Sequence, residues 1–240
     1  MVFRILPNLF TIANLSAGII AIMLAFEGLV EYAAIMVIIS MFLDSLDGRI
    51  ARLFNTQSDF GKELDSLSDI ISFGVAPAFI MYEVILKDLG ILGIFLVILF
   101  PVVGALRLAR FNVKPGVPGY FIGLPITAAG GILATITLYY EIFNSVALVF
   151  IMVFLSYLMI SNIKYPNFKK VGLPRAVIWV TPLIILIVVI LALIFPNQFS
   201  KIAFLPLGLY ALYGIKKSFK KIRVQHIKRK KFENETKEEL

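Results

Sequence analysis

The sequence predicts an all-α integral membrane protein, a polytopic bundle of about eight transmembrane helices. Three observations carry this expectation. Of its 240 residues 60% are hydrophobic and the mean hydropathy is +0.92, well above a soluble domain. Eight apolar stretches, at approximately 9–28, 31–51, 65–86, 90–109, 122–140, 144–161, 174–195 and 199–215, have the length that crosses ~30 Å of hydrocarbon. With the N-terminus cytoplasmic, every Lys and Arg except Lys87 and Lys201 falls on an inside segment, which fits an even span count with both ends inside.

The loops are short and no second domain is expected: residues 1–215 read as one membrane domain and 216–240 as a basic cytoplasmic tail. Pro206 and Gly208 interrupt the last span. The start, MVFRILPNLF, does not read as a cleavable signal, because Pro7 and Asn8 break it and no small-residue site follows. The chain has no Cys, so neither a disulfide framework nor a thiol nucleophile is available, and its one His, His226, sits in the tail. Most of the net charge of +8 lies in that tail, where an anionic lipid surface is the expected partner and nucleic acid is not.

In the first span Asn8, Thr11 and Asn14 recur every three residues and form one polar stripe. Pro7 suits a helix start. Two readings stand for the stripe. Asn8 caps the helix and Thr11 bonds back to the backbone, or the stripe faces a bound nucleotide.

The second and third spans hold the acidic residues. Asp44 and Asp47 are three apart and Asp65 and Asp69 four apart, so each pair shares a helix face. A short polar connection with Asn55, Ser58 and Gly61 joins them, and two antiparallel helices so joined aim all four carboxylates at one pocket. Such hard oxygen ligands suit Mg²⁺, Mn²⁺ or Ca²⁺ rather than zinc. Gly48 and Ala51 leave room against the helix backbone, and Arg52 offers a fork of donors to a phosphate. Gly61 either closes the turn or serves the site. Ser66, Ser68, Ser72 and Gly74 read as close helix packing, and Pro77 as a kink.

At the end of the fourth span Arg107 and Arg110 are one turn apart. Arg107 serves equally as a positive-inside anchor; Arg110, beside Asn112, is the better candidate for an acceptor carboxylate. The loop Ser161–Lys170 is polar, aromatic and basic, and reads as a headgroup anchor or part of the acceptor pocket.

The run Asp44-x2-Asp47-Gly48-x2-Ala51-Arg52-x8-Gly61-x3-Asp65-x3-Asp69 resembles the complete motif of the CDP-alcohol phosphotransferase family. PNLFTIANLSAG, RLARFN and SNIKYPNFK are similar to the phosphatidylserine synthase branch of that family. The resemblance implies a six-helix catalytic core with the motif on its second and third helices. It implies two divalent cations, Mg²⁺ or Mn²⁺ with Ca²⁺ also suited. Asp44, Asp47 and Asp65 would be ligands, with Asp69 shared as ligand and general base. Gly48 and Ala51 would lie by the cytidine and Arg52 near the phosphates. Asn8, Thr11, Arg110 and Asn112 are the further substrate-binding candidates.

The expected reaction moves a phosphatidyl group from CDP-diacylglycerol, or from a CDP-linked archaeal lipid, to the hydroxyl of L-serine and releases CMP. The partners are then these two substrates and membrane lipid, the assembly a homodimer, and the site faces the cytoplasm from the cell membrane. Glycerol 3-phosphate or inositol phosphate is the alternative acceptor, for which a denser basic pocket is expected. A divalent-cation transporter is the alternative of another class, but transport has no need of Gly48, Ala51 and Arg52.

Overall fold

The computed structural model describes residues 2–113 and 120–166. Within them the chain is almost wholly helical. Helix α1 spans Val2–Phe26, α2 Val30–Leu53, α3 Asp59–Asp69, α4 Ala76–Val84, α5 Ile91–Val113, α6 Ile126–Ile136 and α7 Ser145–Ile160. A π-helical turn, Ile70–Val75, fuses α3 and α4 into one rod. The six described helical rods answer to the first six expected spans. The spans at 174–195 and 199–215, Trp179, the turn 114–119, the end of the 161–170 loop and the tail 216–240 lie outside the described residues.

Ile5–Phe26, Asp59–Val84 and Ile91–Val113 are long and apolar enough to cross a membrane. Helix α2 is as long but carries Glu31, Asp44, Asp47, Arg49 and Arg52. Helix α6 is short and buried along nearly its whole length, so it forms the centre of the bundle.

The helix ends follow local chemistry. Gly28, at φ +75°, ends α1, and Leu29 N–H returns to the Leu24 carbonyl at 2.9 Å. Asn55 does the same for α2 at φ 53°, with Thr56 N–H on the Ala51 carbonyl at 2.9 Å. Ser58 caps α3, its hydroxyl accepting from Gly61 N–H at 3.0 Å.

Several expectations are corrected here. Helix α1 starts at Val2, so Pro7 is inside it and Asn8 is not its cap. Gly61 does not close the turn; Asn55 does, and Gly61 lies in the first turn of α3. Pro77 lies in the first turn of α4, directly after the π-helical turn, and both features go with bending of a helix. The fold is not purely helical: Tyr120–Ile122 (β1) pairs antiparallel with Lys164–Pro166 (β2), Phe121 opposite Tyr165. Part of the 161–170 loop is therefore β2, and Ile122 belongs to β1 rather than to the fifth span.

Small residues set the helix spacing. A Cβ on Gly130 of α6 would run into the carbonyl oxygen of Phe73, and one on Gly18 of α1 into Ser72. Serines supply the polar contacts between rods: Ser40 of α2 and Ser72 of the π-helical turn both donate to the Asn14 carbonyl of α1, at 3.3 and 3.0 Å.

Candidate active site

Helices α1, α2 and α3 converge at one end of the bundle. Asp44 and Asp47 lie on the last turns of α2, and Asp65 lies across from them on α3. Each offers a carboxylate oxygen within 4.8 Å of the other two. At that separation two ionised carboxylates repel by about 3 kcal/mol at an effective dielectric near 20, a repulsion that a divalent cation reverses. Asp69, one turn beyond Asp65, is 8% exposed; Asp44, Asp65, Asp47 and the Arg107 guanidinium all act on it electrostatically. Its Oδ1 is buried and accepts no hydrogen bond among the described residues. Hard oxygen donors from two helices, with such a buried oxygen beside them, fit a divalent-cation centre and do not fit a soft-metal one.

A cavity of about 440 Å³ opens beside these carboxylates, lined by Asn8, Thr11, Asp47, Gly48, Ala51, Arg52, Gly61, Lys62 and Asp65 among others. Five of the seven expected substrate-binding residues, Asn8, Thr11, Gly48, Ala51 and Arg52, thus share one wall system with two of the acidic residues. Arg52 folds back along its own helix: a Cβ on Gly48 would stand 3.3 Å from its Nη1. Gly61 is small because Asn8 reaches over it, Oδ1 lying 3.1 Å from where a Cβ would be. Thr11 joins α1 to α2, its hydroxyl donating to Asp47 Oδ2 at 2.8 Å.

The remaining two expected residues lie elsewhere. Arg110 spends its guanidinium on main-chain carbonyls: Nη1 donates to Ile160 at 2.9 Å, and Nη2 reaches Ser161, Ile122 and Met159 at 3.4–3.5 Å. Those groups close the end of α7 and the start of the β1–α6 link, so Arg110 ties α5 to them. Asn112 donates from Nδ2 to Ser66 Oγ at 3.0 Å, and its carbonyl accepts from Lys62 Nζ at 3.4 Å, tying α5 to α3. Neither lines the cavity. Arg107 is the arginine of this pair that turns inward: it is 6% exposed, acts on Asp69 and lies 5.7 Å from the centre of the Phe111 ring. Sequence reasoning passed over Lys62 as well, although its place one residue after Gly61 put it on the same first turn of α3.

Residues 4–160 match the CDP-alcohol phosphatidyltransferase family, and the chain belongs to it. It is 41% identical over 217 residues to a CDP-diacylglycerol–serine O-phosphatidyltransferase of Helicobacter pylori (strain ATCC 700392 / 26695), covering 87% of this chain and 89% of that one. It is 39% identical over 165 residues to the protein of the same name from Bacillus subtilis (strain 168), covering 69% and 92%. It is 39% identical over 178 residues to an archaetidylserine synthase of Methanothermobacter thermautotrophicus, covering 72% and 75%.

Proposed function

We propose that the chain transfers the phosphatidyl group of CDP-diacylglycerol, or the equivalent group of a CDP-linked archaeal lipid, to the hydroxyl of L-serine and releases CMP. The observation that carries this reading is one cavity walled by Asp47, Asp65, Gly48, Ala51 and Arg52, with Asp44 and Asp69 completing the acidic group. The names of the similar proteins supply the acceptor.

Asp44, Asp47, Asp65 and Asp69 would hold Mg²⁺ or Mn²⁺, which neutralises the pyrophosphate and the charge that develops on departing CMP. Gly48, under the Arg52 guanidinium, and Ala51, on the same cavity wall, would lie by the cytidine. Arg52 and Lys62 face the phosphates from α2 and α3. The serine hydroxyl oxygen attacks the lipid-bearing phosphorus, the bond from that phosphorus to the CMP oxygen breaks, and Asp69 takes the hydroxyl proton. The sequence has no Cys, and its one His is His226 in the tail, so direct displacement is favoured over a covalent enzyme intermediate on either. Arg107, beside Asp69, pairs with the serine carboxylate. Among the described residues lining the cavity, Arg52 and Lys62 are the basic ones.

Arg49, Arg52, Lys62, Arg107 and Arg110 collar the acidic end, which supports a site facing the cytoplasm across the cell membrane. The test is CMP release by the purified protein from CDP-diacylglycerol with serine, glycerol 3-phosphate or inositol phosphate. Serine is expected to drive release with Mg²⁺ or Mn²⁺ and to fail after chelation by EDTA. Release driven by either phosphorylated acceptor and not by serine would overturn the reading.

A further inference from the structure

We infer that Thr11 is a positioning residue for the cation centre rather than a nucleotide contact: its hydroxyl fixes the Asp47 carboxylate, and its carbonyl fixes the helix that carries Asp65 and Asp69. The inference rests on the metal-dependent reading above. Thr11 is 3% exposed and Asp47 5%, so their 2.8 Å contact is largely buried in the cavity wall. The Thr11 hydroxyl has two acceptors within reach, Asp47 Oδ2 at 2.8 Å and the Pro7 carbonyl at 3.2 Å. One proton serves one of them well, and the shorter contact, to the carboxylate, is the better formed. The bond to Pro7 is the back-bond common to any helical threonine; the bond to Asp47 spans two helices.

The same residue holds the third helix. Ser68 Oγ donates to the Thr11 carbonyl at 3.2 Å, and Ser68 lies between Asp65 and Asp69 on α3. A single turn of α1 therefore meets Asp47 on one side and the acidic helix on the other, and sets the gap across which Asp47 and Asp65 face each other. One turn deeper, the Asn14 carbonyl receives Ser40 and Ser72, but no acidic residue takes part. That junction is helix adhesion without the carboxylate and is the natural control. Groups that orient a metal-binding carboxylate typically contribute about 10–100-fold in metal affinity.

The experiment measures Mn²⁺ binding to the purified full-length protein in detergent, without lipid substrate, by the electron paramagnetic resonance signal of free Mn²⁺. Thr11→Val keeps the branched shape and Thr11→Ala relieves any crowding; both remove the hydroxyl, and Thr11→Ser retains it. Both hydroxyl-free variants are expected to bind Mn²⁺ about 10–100-fold more weakly, and Thr11→Ser to stay within about threefold of the parent. At saturating Mn²⁺ their KM for CDP-diacylglycerol should stay near the parent value. In an Asp47→Asn background Thr11→Val should change Mn²⁺ affinity no further. Ser72→Ala should lower Tm and leave Mn²⁺ affinity unchanged. Parental Mn²⁺ affinity in the hydroxyl-free variants, with a raised KM for CDP-diacylglycerol, would overturn the inference in favour of a nucleotide contact. An equal loss in Thr11→Ser would overturn it in favour of packing. A parent protein that binds no Mn²⁺ and releases CMP in EDTA would instead sink the metal-dependent reading itself.

Discussion

The guanidinium of Arg52 lies back over Gly48, one turn earlier on α2, so close that a Cβ on Gly48 would stand 3.3 Å from Nη1. The glycine is thus a seat for the arginine, and both line the same cavity. Two effects of Gly48→Ala then oppose each other. Alanine in a helix interior stabilises by about 0.5–1 kcal/mol relative to glycine, and the group it crowds is the free end of a flexible side chain, which swings away at little cost. Activity has no such slack, because the displaced guanidinium leaves the place proposed for it at the phosphates. Gly48→Ala is expected to hold or raise Tm while kcat/KM for CDP-diacylglycerol falls at least about tenfold. Thermal unfolding and CMP release on one preparation check both signs; a parental kcat/KM would show that the seat is unimportant.

Asp69 is buried, as Asp47 is, and the Arg107 guanidinium acts on it. Assigned as the base, it takes the acceptor proton during attack, a role that contributes about 10²–10⁴-fold. Asp69→Asn keeps the shape and an oxygen but cannot take the proton. Its kcat should fall by about that factor while binding of CDP, followed by equilibrium dialysis with Mn²⁺ present, stays within several-fold of the parent. CMP release at the normal rate by Asp69→Asn would remove the residue from that role.

Arg107 and Arg110 share a helix and a sequence motif but not a task. Arg110 makes one short bond, to Ile160, and three longer contacts to carbonyls at the α7 end. Hydrogen bonds involving a charged group contribute about 1.5–3 kcal/mol. Arg110→Ala should therefore lower Tm by several degrees with little change in the KM for serine. Arg107→Lys should do the reverse, raising the serine KM because a point charge cannot replace a planar fork at a carboxylate. Steady-state kinetics in serine alongside thermal melts separates the two.

Those two arginines also mark where the sequence stopped being legible. The acidic motif could be read because its spacing is helical on both sides of a short turn, and helical spacing dictates shared faces. The helical rods could be read from their apolar runs, of which Ile5–Phe26, Asp59–Val84 and Ile91–Val113 are long and apolar enough to cross a membrane. Arg110 is one turn from the end of α5 and Arg107 one turn before it, and nothing local says which points at a carboxylate and which at carbonyls. That choice is made by where α7 ends and by Gly123 at φ +78°, whose neighbours include Arg110 Nη2. The β1–β2 pairing was illegible for the same reason: its strands are three residues each and meet across two whole helices. The bond from Thr11 to Asp47 joins residues 36 apart, and the stripe Asn8–Thr11–Asn14 gave the face of α1 without the partner.

Gly130 offers the opposite outcome to Gly48 from the same substitution. Helix α6 is the buried centre of the bundle, and Gly130 lies where it crosses the π-helical turn after Asp69. A Cβ there would collide with the Phe73 carbonyl oxygen and crowd its Cα. That carbonyl belongs to the residue four before Pro77, where an α-helical N–H partner is missing, and backbone cannot swing aside as a guanidinium can. The helix-propensity gain of at most about 1 kcal/mol is then outweighed by overpacking, which costs about 1–3 kcal/mol or more. Gly130→Ala is expected to lower Tm. It should also lower kcat, because the displaced turn begins at the residue after Asp69. Ala129→Gly, on the neighbouring buried position, should lower Tm through helix propensity while leaving kcat near the parent value. If Gly130→Ala melts at or above the parental temperature, the two rods are not in the close contact described.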